Sequence, residues 1–300
     1  MTSASQEALA GLPVARRRLR SLSRQRRWAL WGSYAALAVF VVMFLVPPFH
    51  MLVTSFKTSG EISEQKVSPW FVAHPTLSNY VELLHDAHFL GFFYNSAKVT
   101  VCVVGLSMAI SIFAAFGLAR MRFFGSGVLA TGVFLTYLIP DSLLFIPFFQ
   151  IIGKLGLINN AWGMVIVYPT LAVPFCTWIM IGYFASIPKE LDEAALIDGA
   201  SWLQILFRVF IPVAMPGIIA ATIFAFTVSW GQFIYPLAYL YSSDQMVLTV
   251  GIISDLIRAD VFQWGKIMAG SLMAAAPPVL IYAFLMDYYV SGLTAGATKG

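Results

Sequence analysis

Stretches free of Asp, Glu, Lys and Arg run through residues 28–56, 99–119, 155–188, 209–243 and 267–286, and a sixth, 123–153, is interrupted only by Asp141. A bilayer core about 30 Å thick needs about 20 apolar residues per helix, so each run is long enough to cross. Backbone polar groups in lipid must be satisfied inside the segment, and the expected fold class is therefore all-α: a polytopic membrane protein with six transmembrane helices. Only 11% of residues are charged, against about 25% in a soluble domain.

The formal charge of +4 does not read as a nucleic-acid surface, because seven of the 18 basic residues are arginines between positions 16 and 27, directly before the first apolar run. Cytoplasmic loops carry an excess of Lys and Arg. Termini in the cytoplasm put 12 of these residues inside and six outside, and without the arginines the tally is five against six. The arm alone sets the orientation, and it also suits contact with anionic lipid. The run after it is too long for a secretory signal, and no small-residue cleavage site follows. Cys102 and Cys176 fall inside apolar runs and read as small hydrophobes.

The chain divides into a cytoplasmic arginine-rich arm (1–27), a first transmembrane helix with its outer loop (28–91), a core of five transmembrane helices with an inner loop at 188–208 (92–290), and a cytoplasmic tail (291–300). Helix one is expected from Trp28 to Val46, leaving the membrane at Pro47-Pro48. Asn79 is expected to open a short amphipathic helix with Val81, Leu83 and Leu84 on the membrane surface. Helix two is expected from Asn95-Ser96 to Arg120, helix three as one span to about Ile152, helix four over Gly163 to Phe184, helix five over Val209 to Tyr235, and helix six to about Asp287.

The inner loop holds "EAALIDGAS", residues 193–201. Pro188 suits a helix start, and Glu190, Asp192 and Glu193 favour the positive end of its dipole. Leu191, Ala194, Ala195 and Ile197 are apolar at helical spacing. Gly199 ends the helix because glycine reaches left-handed angles without steric cost. Ser201 with Gln204 forms a capping box that opens a second helix carrying Trp202, Leu206 and Phe210 into the membrane. A short surface helix joined through a glycine corner to a membrane helix has the shape of a plug, and an ordinary solvated loop helix fits the same spacing.

"EAALIDGASWLQILFRVFIPVAMPG", residues 193–217, resembles the EAA loop of membrane permease subunits of binding-protein-dependent ABC importers, through Glu193, Ala194, Ala195, Asp198, Gly199, Pro212 and Pro216-Gly217. "PTLSNYVELL", "NSAKVT", "IPFFQIIGKLGLINNAWG" and "YYVSGLTAGATKG" are similar to the carbohydrate branch, the maltose-type second permease above all, so the resemblance covers about residues 70–300. It implies a type I ABC importer permease fold in a bacterial or archaeal plasma membrane. The implied partners are a second homologous permease, two copies of a cytoplasmic ATPase subunit, an extracytoplasmic solute-binding protein and a carbohydrate substrate. The helix with Glu193, Ala194 and Ala195 would dock in an ATPase cleft, and the tail would reach toward the ATPase interface. Gly231 stands where the family commonly has Asn, and Asp141 is unusual for the branch.

No GxxxxGK[ST] occurs, so ATP and Mg are expected on the partner ATPase, with no cofactor in this chain. HExxH and GxSxG are absent too, and no catalytic residues are assigned. His85 and His88 flank Asp86, a spacing more ordinary for loop histidines than for a metal site. An ionisable group at membrane depth costs about 2.5–3.5 kcal/mol on insertion scales and faces cavities or pathways. Asp141 is thus a candidate for the substrate pathway, accepting hydrogen bonds from sugar hydroxyls, or else a structural carboxylate. Trp230, Gln232 and Tyr235 offer aromatic faces and an amide suited to a sugar ring, although Trp and Tyr also populate membrane interfaces. The alternative function is an ion-coupled secondary transporter of a small polar solute, for which Asp141 is the one intramembrane acid.

Overall fold

A computed structural model describes residues 12–64, 68–121, 123–258 and 261–295. Lys66, Arg122, Lys299 and the rest of 296–300 lie outside the described residues, as do the side chains of 12–25 and 286–295. The expected lipid contacts of the arm and the role of the tail fall there.

The helices are α1 (Leu12–Ser55), α2 (Ser59–Ser63), α3 (Ser78–His85), α4 (Ala87–Arg120), α5 (Ser126–Tyr137), α6 (Asp141–Lys154) and α7 (Trp162–Ser186). They continue as α8 (Lys189–Ile197), α9 (Trp202–Ile205), a π-helical turn (Leu206–Phe210), α10 (Ile211–Val213), α11 (Met215–Gly231), α12 (Ile234–Tyr239), α13 (Leu248–Leu256) and α14 (Trp264–Ala295). Among the described residues, one two-residue antiparallel pair, β1 (Ile257–Arg258) with β2 (Val261–Phe262), is the exception to an all-α fold.

Among the described residues, five helices are long and apolar enough to cross a bilayer, and the sixth span is a broken pair, α5 and α6, bent by 96°. One straight helix three was expected, and the correction has a local cause. Pro140 has no N–H to donate, and a proline pushes the residue before it out of the helical region. Helix five also breaks, at Gln232-Phe233, before α12. Conversely, α1 runs straight through Pro47-Pro48 to Ser55, since membrane helices tolerate proline where freed carbonyls find other partners. α4 starts at Ala87 rather than near Asn95, capped by Asp86, whose carboxylate accepts from the His88 N–H at 2.9 Å. The junction at 91/92 therefore falls inside one continuous helix, and the acid between His85 and His88 serves as its cap.

α4, α7 and α11 form the centre, with α14 against α11 and α3, α5 against α7, and α1 against α14. Phe116, Phe184, Ile205, Leu206 and Phe210 fill the end that carries the 188–208 loop. Tyr168, Tyr235 and Tyr239 belong to a second cluster, and Leu83, Phe89, Phe92 and Trp230 to a third.

At the opposite end three asparagine side chains tie loops to helix ends. Asn79 does not open α3. It is buried, and its amide donates to the carbonyls of Ser55 and Lys57 at 2.8 and 3.0 Å, satisfying the end of α1. Asn95 donates to Asp244 and Met246 carbonyls, while Asn159 donates to the Ser242 hydroxyl and accepts from the Tyr241 and Ser242 N–H groups. Leu83, expected on the membrane surface, is buried in the bundle, whereas Val81 and Leu84 are exposed.

Glu61 in α2 accepts from the backbone N–H groups of Ala73 and His74 at 2.8 and 3.2 Å. Those bonds, the Ala73 one first, hold its carboxyl below the usual glutamate range, with help from Lys57. A depressed folded pKa contributes stability that is present above the ordinary value of about 4.3 and lost as pH falls through the folded one. Limited proteolysis of the 68–76 stretch should accelerate in that acid window, and a Glu61→Gln variant should already be fast at neutral pH.

Candidate functional site

Two regions carry the residues singled out in the sequence. The first is the loop around α8. Pro188 precedes the helix, and Glu190 and Asp192 lie in its first turn. At the far end the Ala200 N–H bonds the Ala195 carbonyl at 2.9 Å and the Gly199 N–H bonds that of Leu196 at 3.0 Å, with Gly199 at φ +81°. This is a Schellman closure, which needs a residue at positive φ in that place. Ser201 and Gln204 then cap each other reciprocally, so both helices meet at a rigid corner.

α8 has two faces. Glu193, Ala194 and Ile197 point away from the bundle, and Ile197 is 87% exposed. Ala195 and Ala200 pack against the core cluster instead. Ala194 and Ala195, both in the motif expected to dock, are thus divided between outside and inside. Asp198 is exposed at the corner, and Pro212 sits in α10 directly after the π-helical turn. Further on, a Cβ built on Gly217 would meet the Tyr183 ring at 2.3–2.7 Å, so only glycine lets α11 approach α7 there.

Reading the sequence missed Arg120. Its guanidinium is buried, with the side chain 3% exposed, 3.7 Å from the Asp192 carboxylate. It also donates to the Ile187 carbonyl and lies 4.7 Å from the centre of the Phe210 ring. A buried charge left without its partner costs about 3–5 kcal/mol. The available signal was a basic residue closing one span and an acid in the loop after another, with nothing to say that they meet.

The second region is a cavity of about 620 Å³ between α5, α6, α7 and α11, at the break between α5 and α6. Asp141, Gln232, Gly231, Thr136, Thr170 and Thr227 are in its lining. The three threonine hydroxyls bond carbonyls of their own helices; the oxygens of Thr136 and Thr170 are left to accept, whereas that of Thr227 also pairs with the Tyr282 hydroxyl at 3.1 Å. Asp141 opens α6, where a carboxylate interacts favourably with the helix dipole. Nothing lies within 4 Å of where a Cβ on Gly231 would sit, so the missing side chain leaves open space.

Trp230 and Tyr235 do not line this cavity. Trp230 is 8% exposed, stacks on Phe226 and donates its indole N–H to the Ala274 carbonyl at 2.9 Å. Tyr235 is buried and donates its hydroxyl to the Asp141 carbonyl at 2.8 Å. It holds the start of α6 from behind. Of the four pathway candidates, the fold brings Asp141 and Gln232 to one surface and turns the two aromatic residues into the bundle.

Residues 107–294 match the family described as binding-protein-dependent transport system inner membrane component. The inner membrane ABC transporter permease protein YcjP of Escherichia coli (strain K12) is 34% identical over 90% of this chain and 96% of its own length. The trehalose/maltose transport system permease protein MalG of Thermococcus litoralis is 32% identical over 87% of this chain and 94% of its own. In fold, the chain is similar to one in the crystal structure of a bacterial ABC transporter involved in the import of the acidic polysaccharide alginate. That match has a TM-score of 0.77 at 24% identity, covering 88% of this chain and 97% of the other.

Proposed function

Because the chain belongs to the family of binding-protein-dependent transport system inner membrane components, multi-pass permeases of ABC importers, we propose that it forms half of the pathway through which a carbohydrate enters the cell. The observation that carries the solute class is the cavity's polar set, one carboxylate, two accepting hydroxyls, of Thr136 and Thr170, and one amide. Such a set matches a molecule rich in O–H donors. The named sugar specificity of relatives such as the trehalose/maltose permease supports the same class.

In this reading the chain performs no covalent chemistry. A second homologous permease completes the pathway, a solute-binding protein delivers the sugar from outside, and two cytoplasmic ATPase subunits bind ATP and Mg²⁺. Ligands that bind two global states unequally shift their populations, and Glu193 to Gly199 form the joint through which ATP does so. The arginines between positions 16 and 27, at the start of α1, support a cytoplasmic side for both termini and α8.

The test is copurification from native membranes followed by proteoliposome uptake of the sugar that comes with the complex. Uptake is expected to require the ATPase subunits and to ignore ion gradients. The α5–α6 break beside Asp141 is the feature that favours an ion-coupled transporter, since such proteins place discontinuous helices at their sites, and uptake driven by a gradient without ATP would establish that reading instead. An Asp141→Asn variant should lower apparent sugar affinity about 5- to 30-fold, the loss of a charge-assisted hydrogen bond worth about 1–2 kcal/mol. Unchanged rate and affinity would remove Asp141 from the sugar's contacts.

A further inference from the structure

Arg120 touches four parts of the chain through one side chain. It closes α4, donates to the Ile187 carbonyl at the end of α7, faces Asp192 in α8, and lies over Phe210 in the π-helical turn. Asp192 is on the inner face of α8, behind the surface formed by Glu193, Ala194 and Ile197. α8 joins α7 through Ile187 and Pro188 and α9 through the glycine corner. The Arg120 fork is the side-chain tie that holds its N-terminal turn to α4 and to the end of α7.

Stability does not account for such a pair. Well-packed apolar residues of similar volume are often neutral or better in place of a buried ion pair, whose best-attested use is to set register or a switch. The pair is also incompletely closed: Arg120 Nε and Asp192 Oδ1 are both buried without partners, and 3.7 Å exceeds the length of about 2.7–2.9 Å of a charge-assisted bond. A tighter, two-pronged arrangement is therefore available to the same two side chains when α8 is pushed inward.

We infer that Arg120 and Asp192 are positioning residues that lock α8 to α4 and α7, so that a push on the outer face of α8 rotates the helices rather than the loop alone. Neither touches sugar or nucleotide; both act through α8. The inference rests on the importer reading.

The test uses the assembled complex in nanodiscs, with both permeases, the ATPase subunits and the binding protein as purified with its own ligand. Mg-ATP hydrolysis is measured with and without that binding protein. The Arg120→Lys and Asp192→Asn variants are expected to assemble with unchanged subunit ratios and to lose about tenfold of the stimulation, a magnitude ordinary for coupling between sites. Their basal hydrolysis should persist. The Arg120→Lys/Asp192→Glu double variant, which shortens one side chain and lengthens the other, should recover at least half of the stimulation. Wild-type stimulation in either single variant would overturn the inference, as would no recovery in the double variant, or failure of the single variants to assemble. Absence of stimulation in the wild-type complex would count against the importer reading instead.

Discussion

With α8 docking an ATPase subunit as proposed, an Ile197→Asp variant is expected to lose that subunit while keeping its own fold. Ile197 is 87% exposed in the last turn of α8, beside Ala194 and Glu193 on the face that points away from the bundle. Burying an isoleucine against a partner is worth about 1.5–3 kcal/mol, and a carboxylate in its place must also be desolvated. Affinity for the ATPase should therefore fall at least about tenfold to a hundredfold, at about 1.4 kcal/mol per factor of ten. Copurification ratios and direct binding report the loss, and thermal unfolding of the permease should be unmoved, as exposed substitutions usually are within about 0.5 kcal/mol. Ala195→Leu should do the reverse. Ala195 faces the core cluster, and overpacking such a site costs about 1–3 kcal/mol in stability. Similar behaviour of the two variants would mean that α8 is not divided into an outer and an inner face.

A Gly217→Val variant is expected to be the most damaging apolar substitution in the spans. A Cβ at that position would stand 2.3–2.7 Å from three atoms of the Tyr183 ring, inside the distance that real contacts allow. Tyr183 lies in α7, whose centre is close-packed against α4 and α11, so relief requires the two helices to separate. Overpacking costs about 1–3 kcal/mol where neighbours can adjust, and valine adds two methyl groups to the clash, so the loss should lie at the upper end or beyond. Fluorescence-detected gel filtration should show aggregated or absent protein. Combining Gly217→Val with Tyr183→Ala, which removes the ring, should restore a monodisperse peak. Failure of that rescue would place the cause elsewhere than in the ring contact.

Much of the loop region was legible before any coordinates, because its signals are local. Pro188, Gly199 and the Ser201–Gln204 pair each act through backbone geometry within one turn of the chain, and α8, its Schellman closure and the capping box lie where those residues put them. Span boundaries were less legible. Pro47-Pro48 and Pro140 are equally strong breakers in isolation. Yet α1 passes through the first pair, and the helix stops before the second. A proline permits a break without forcing one, since a membrane helix can run through it where its neighbours re-satisfy the backbone. The cavity was half legible: Asp141 and Gln232 share its wall, but the side-chain directions of Trp230 and Tyr235 follow from packing against α14 and α6.

By itself the sequence determined that this chain lives in a bilayer and where its loop folds back on itself. The first follows from the length of its charge-free runs, since hydrocarbon gives an unpaired backbone group no partner outside the segment, and the second from turn chemistry that needs no neighbour. Only the tertiary structure decided that Arg120 meets Asp192 across 72 residues of chain, that one alanine of the loop looks outward and the next inward, and that Gly217 carries a tyrosine ring on its bare Cα. These are contacts between elements remote in sequence. Their cost or benefit lies in close packing and buried charge, and neither is defined until the helices are placed against one another.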